Sequence, residues 1–154
     1  MTYHLAQINI ARLLAPMDSP QIKEFRDFIE PINKLGESSP GFVWRLQDDS
    51  ALGGATEIET PFEDDMIIVN MTVWESIEAL KTFTYSTVHS YFVKNRKKWF
   101  ERASAPHLVL WWVPVGHVPS LAEAKEKLEL IEAKGPNPLA FTFSKQYDPE
   151  GNQI

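Results

Sequence analysis

The 154-residue sequence contains no cysteine. That excludes a disulfide framework, a thiolate nucleophile, a zinc finger and an iron–sulfur cluster. Basic charge is also in short supply: 15 Lys and Arg stand against 21 Asp and Glu, for a formal charge of −6 and a pI near 5.2. The footprint of a general nucleic-acid binder is absent, and no nucleic-acid partner is expected. The longest uncharged stretch, residues 103–122, has the length of a membrane span but contains Pro106, Pro114, Pro119 and Gly116 with two histidines. A buried strand followed by a loop accounts for it better, so no membrane partner is expected. The opening Met1-Thr2-Tyr3-His4 has no basic n-region, which points to a cytoplasmic protein. There is no Gly-rich phosphate loop, GxSxG elbow, HxxxH or HExxH, so neither nucleotide, acyl-transfer chemistry nor a metal site is expected.

What the chain does have is apolar content. At 44% hydrophobic and 23% charged, residues 1–154 read as one folded domain. Residues 3–12 alternate as a strand, with Leu5, Gln7, Asn9 and Ala11 on one face. Ser19 and Pro20 open a helix whose apolar positions Ile22, Phe25, Phe28, Ile29, Ile32 and Leu35 recur until Gly36, with a kink or break expected at Pro31. Residues 42–47 read as a second strand and 66–74 as a third. Between them, residues 48–65 hold seven acids and no base and read as an acidic loop insertion. A helix through Ile77, Leu80 and Phe83 follows, and helical character resumes over 88–102. Residues 108–115 form another buried strand. Ser120 to Glu123 reads as a capping box for a helix ending at Gly135, with Glu123 and Lys127 as a surface pair. An edge strand over 140–144 and a flexible tail over 145–154 complete the chain.

The order is β-α-β-β-α-β, the α+β ferredoxin-like arrangement, with an antiparallel sheet, helices on one face and a C-terminal helix added. Right-handed crossovers bring the first and third strands together in the centre. Both sheet faces are apolar, and a second copy of the chain is the expected cover for the face without helices.

Two constellations carry chemistry. Gln7 and Asn9 on one strand, and Asn70, Thr72 and Trp74 on its expected neighbour, converge if the strands pair. They either bond one another and fix register or contact a ligand. Tyr85, His89, Phe92, Arg96 and Trp99 fall at spacings of four, three, four and three on one face of a continuous helix. There His89 would act as general base and Arg96 as an anion clamp, the alternative being a half-buried histidine among aromatics with Arg96 in solvent. The candidate catalytic set is His89, Arg96 and Asn9. The candidate substrate contacts are Trp44, Arg45, Asn70, Trp74, Tyr85, Phe92 and Trp112. Lys94, Arg96, Lys97, Lys98 and Arg102 form a basic run that reads as an exposed helix face.

The segments HLAQINIARLLAP, SPGFVWRLQ and VNMTVWESIEALKTFTY, then His89 with RKKWF downstream and LWWVPVGHVPS with its AFTF tail, resemble an uncharacterised bacterial family, domain-of-unknown-function family 3291. That family lies in the dimeric α+β barrel superfamily, with the antibiotic-biosynthesis monooxygenases. The resemblance implies a homodimer with a small-molecule pocket between sheet and helices. If catalytic, it implies an oxygenase or isomerase with no dissociable nucleotide cofactor. Asn9, Trp74 and His89 also resemble the Asn/Trp/His trio of the haem-degrading monooxygenases, so haem is the alternative to having no cofactor.

Overall fold

The computed structural model describes residues 2–47, 66–86, 89–102 and 106–154, apart from the side chains of Ser86 and His89. The acidic segment 48–65 lies outside the described residues. Four strands, β1 (Tyr3–Arg12), β2 (Phe42–Arg45), β3 (Ile67–Trp74) and β4 (Leu108–Pro114), form one antiparallel sheet in the order β2-β3-β1-β4. The α-helices are α1 (Lys23–Ser38), α2 (Ile77–Ser86), α3 (His89–Lys94) and α4 (Leu121–Lys134). This is the ferredoxin-like α+β order, with β1 and β3 central as expected.

Ser19 caps a single 3-10 turn, Pro20–Ile22, by accepting from the Gln21 N–H at 3.2 Å, and α1 begins only after it. Pro31 does not divide α1, and Gly36 does not end it. Gly36 is instead a contact point: a Cβ there would lie 3.4 Å from the Phe83 ring, so its lack of a side chain lets α1 approach α2 closely.

The expected helix over 88–102 is not continuous. Helix α3 stops at Lys94, Asn95 leads into a 3-10 turn over Arg96–Lys98, and the chain then runs alongside the end of β1 through an antiparallel bridge between Leu13 and Phe100. Trp99 is buried there with Leu13 and Ile22 and stacks on Phe92 at 5.4 Å. The 140–144 strand reduces to isolated bridges, of which Phe141 opposite Leu110 joins it to β4. The tail folds back on the sheet, the Trp112 Nε1–H donating to the Tyr147 carbonyl at 2.8 Å.

Each sheet face has its own cover. On one side Leu5, Trp74 and Leu110 pack under Ile77 and Leu80 of α2. On the other, Ala6, Ile8, Met71, Val73, Val109 and Trp111 pack with Ala124, Leu128 and Ile131 of α4, and all six sheet residues are at most 2% exposed within the single chain. The expectation that a second copy covers this face is therefore corrected: α4 supplies the cover, and apolar burial alone no longer calls for a partner.

Helix α4 is fastened at its start. Ser120 caps it by accepting from the Glu123 N–H at 3.1 Å. The Glu123 carboxylate does not reach Lys127 but accepts from Trp111 Nε1 at 2.8 Å and pairs with His117 Nε2 at 2.7 Å. Burial pushes this carboxyl's pKa up, while the bonds from His117 and Trp111 outweigh it and leave the group below its ordinary 4.5. A carboxyl lowered on folding stabilises fully above its unfolded pKa and loses that contribution as pH falls through the folded value. Urea midpoints taken on a descending pH series below about 4.5 should fall, and less steeply for Glu123→Gln. At neutral pH, Glu123→Ala should cost about 1–3 kcal/mol, because it leaves the buried Trp111 N–H without an acceptor.

Candidate functional site

Between the sheet and helices α1, α2 and α3 lies a cavity of about 430 Å³. Its floor is polar because β1 and β3 pair in a register that sets Gln7 opposite Thr72 and Asn9 opposite Asn70. The residues expected to converge do so. Gln7 Nε2 donates to Asn70 Oδ1 at 2.9 Å and to Thr72 Oγ1 at 2.8 Å. Asn9 Nδ2 donates to Gln7 Oε1 at 3.3 Å, and Trp74 Nε1 donates to Thr72 Oγ1 at 2.8 Å. Gln7 and Thr72 are buried, Asn9 is half-buried and Asn70 is exposed on the cavity side. The amides thus bond one another, and Gln7, Asn9 and Asn70 also line the cavity.

The walls are apolar. Phe25, Phe28, Ile29 and Ile32 descend from α1, Phe83 from α2 and Phe92 from α3. Arg45 closes the β2 side. Its side chain is 11% exposed, its Nε donates to Glu37 Oε1 at 2.7 Å, and its Nη1 is buried with no acceptor among the described residues. An orphaned guanidinium N–H is costly to bury, and it is complementary to a ligand oxygen.

Of the residues singled out from sequence, Asn9, Arg45, Asn70, Trp74, Tyr85, Phe92 and Arg96 all border this cavity. Trp44 does not. A β-bulge between Phe42 and Trp44 turns Trp44 to the α4 side, while Arg45 stays opposite Thr72. Trp112 shares the cavity's sheet face but packs with Phe141 near Tyr147 rather than lining the pocket. Because α3 stops at Lys94, Arg96 is not on the helical face that bears Phe92. It is exposed at the rim, its Nη1 donating to the Val93 carbonyl at 2.7 Å. The backbone of His89 opens α3, and its side chain lies outside the described residues. Within the haem-like trio, the Trp74 indole N–H is already committed to Thr72. Among the described residues no three histidine or acidic side chains gather as metal ligands, and no helix is long and apolar enough to cross a membrane.

Sequence reasoning left out of the site the α1 residues, Phe83 and His107, all of which border the cavity. The signal for α1 was present: its apolar spacing of three and four has to face the same sheet surface as Gln7 and Asn9. His107 lies just before β4, where its carbonyl accepts from Ile10 N–H at 2.9 Å, and no spacing in the sequence ties it to the other cavity residues.

Fold and cavity together define a ferredoxin-like α+β protein with a pocket between its sheet and the helices on one face. The chain belongs to the family described as Domain of unknown function (DUF3291), whose profile matches residues 4–154. No curated protein matches it. Among solved structures it is similar to NE2512, a protein of unknown function from Nitrosomonas europaea, with 10% identity over 77% of this chain and 97% of that one and a TM-score of 0.48. It is similar also to PA3566 from Pseudomonas aeruginosa, with 13% identity over 73% and 94% and a TM-score of 0.47. A third is a monooxygenase from the gene ActVA-Orf6 of Streptomyces coelicolor, in complex with the ligand Nanaomycin D, with 17% identity over 77% and 94% and a TM-score of 0.43.

Proposed function

We propose that this protein binds a small, largely apolar or aromatic molecule in the cavity between sheet and helices. The carrying observation is the cavity itself: about 430 Å³, walled by aromatic and aliphatic side chains over a floor of convergent amides. Ligand sites combine an apolar wall with a few placed polar groups in this way. The catalytic form of this proposal is a monooxygenase- or isomerase-like step without a nucleotide cofactor, in which His89 takes a proton from the ligand. Arg45 suits the developing oxyanion better than Arg96, since its guanidinium is largely buried and has an unmet donor while Arg96 stands in solvent. A homodimer is part of the proposal through the resemblance alone, and its two-fold contact has to use a surface other than the sheet face beneath α4.

Mass spectrometry of small molecules released from natively purified protein should show one planar, apolar species at near-stoichiometric amount. Ala11 borders the cavity and is half-buried, so Ala11→Trp should fill the space and reduce binding of that species by about tenfold or more. Equal occupancy in the variant would place the ligand elsewhere.

A further inference from the structure

The charges at the cavity have one sign. Arg45 and Arg96 border it, and among the described residues no carboxylate side chain does, on a chain whose formal charge is −6. The two cations differ in setting. Arg96 stands exposed at the rim in a run with Lys94, Lys97 and Lys98, where water screens it, so it steers an anion rather than holding one. Arg45 lies within the walls. Its place follows from register: Arg45 on β2 is opposite Thr72 on β3, which is opposite Gln7 on β1, so the guanidinium ends the polar row of the floor.

A guanidinium carries its N–H donors in a planar fork. Among the described residues Arg45 makes one hydrogen bond, from Nε to Glu37 Oε1 at 2.7 Å, so the donors on Nη1 and Nη2 are unspent and Nη1 is buried in that condition. Those two nitrogens form the edge that takes both oxygens of a carboxylate. Glu37 does not cancel the charge. Its side chain is 45% exposed against 11% for Arg45, so water damps the carboxylate's field more than the guanidinium's. The apolar end of the cavity lies along the same strand: Ile68, on the face of β3 that carries Thr72 and about 13 Å from it at the rise of a strand, packs with Phe25 and Phe92.

We propose that the ligand is an aromatic carboxylic acid bound as its monoanion, with the carboxylate on Nη1 and Nη2 of Arg45 and the apolar body lying along β3 toward Phe25 and Phe92. One negative charge suits the site, because Glu37 already shares the guanidinium and repels a second. The burial that makes an unpaired guanidinium costly also strengthens its pairing with a ligand oxygen, so the acid group decides affinity while the aromatic wall accepts many bodies.

The proposal rests on the small-molecule reading of the cavity, and three probes separate the two. Calorimetric titration at neutral pH with 2-naphthoate, 2-naphthamide and naphthalene should give binding of all three, with the acid tighter than its near-isosteric amide by about tenfold or more. Arg45→Gln should bring that ratio close to one. Arg96→Gln should keep it, since a rim charge acts on the association rate and its salt dependence. Equal affinity of wild type for acid and amide overturns the carboxylate proposal and leaves the pocket reading standing. A ratio unchanged in Arg45→Gln, or lost in Arg96→Gln, overturns the assignment to Arg45. No binding of any of the three probes overturns both readings. If Arg45→Gln does not fold, wild type and Arg96→Gln still decide, because a preference for the acid that survives the loss of Arg96 supports Arg45.

Discussion

Replacing Trp74 by alanine should lower stability by about 3–5 kcal/mol, read from the midpoint of urea unfolding. Trp74 is fully buried, stacks on Phe83 at 5.2 Å and meets Phe42 edge-on at 5.5 Å, so it joins β3, β2 and α2 in one contact. Its removal opens a void between sheet and helix and takes away the donor to Thr72. Against a typical total of about 5–15 kcal/mol, a loss of that size brings the domain close to unfolding at ambient temperature. Trp74→Phe separates the two contributions, since it keeps most of the ring and loses the N–H, and about 1 kcal/mol is expected for it. A Trp74→Ala midpoint near wild type would show that the ring does not hold the helix to the sheet.

The second large effect is expected at Gly41, in the turn between α1 and β2. Its φ is +84°, and a Cβ there would stand 2.5 Å from the Cβ of Ala79 on α2. Its carbonyl also accepts from the Glu75 N–H at 2.7 Å, so the turn cannot shift without losing a backbone bond. Gly41→Ala should therefore cost about 1–3 kcal/mol in backbone strain and about as much again in overpacking. Gly135 is the internal control. Its φ of +71° is also positive, but an added Cβ meets nothing within 4 Å, so only a backbone-strain component should appear. Adding Ala79→Gly to Gly41→Ala should recover the overpacking component. No recovery in that pair would assign the whole cost to backbone conformation.

Much of this architecture was legible because the two periodicities are clean. Alternation in residues 3–12 placed Gln7 and Asn9 together, and the βαββαβ order placed Asn70 and Thr72 beside them, so the polar floor followed from pattern and topology. What misled was local. A spacing of four and three through Tyr85, His89, Phe92, Arg96 and Trp99 resembles a helical stripe whether or not the backbone stays helical. Here Trp99 is drawn into a cluster with Leu13 and Ile22, which ends the helix early and leaves Arg96 at the rim. The apolar second face was likewise read as a surface awaiting a partner. The amphipathic stripe of Ala124, Leu128 and Ile131 was visible in the sequence, but nothing local to it says which surface it covers. Trp44 and Arg45 could not both face the cavity from a regular strand, and the resolution of that conflict was a bulge, which leaves no reliable mark in a single sequence.

That bulge makes β2 one residue longer than its pairing needs. Because Val43 is the surplus residue and is 38% exposed, a chain without it would run Phe42, Trp44, Arg45 as a regular strand with each side chain on the face it already occupies. Elsewhere in the sheet the loss of one residue reverses the facing of everything beyond it. β2 therefore contains a spare position, the one place along these strands where length can change by one residue while Phe42 and Arg45 stay over the cavity and Trp44 stays beneath α4.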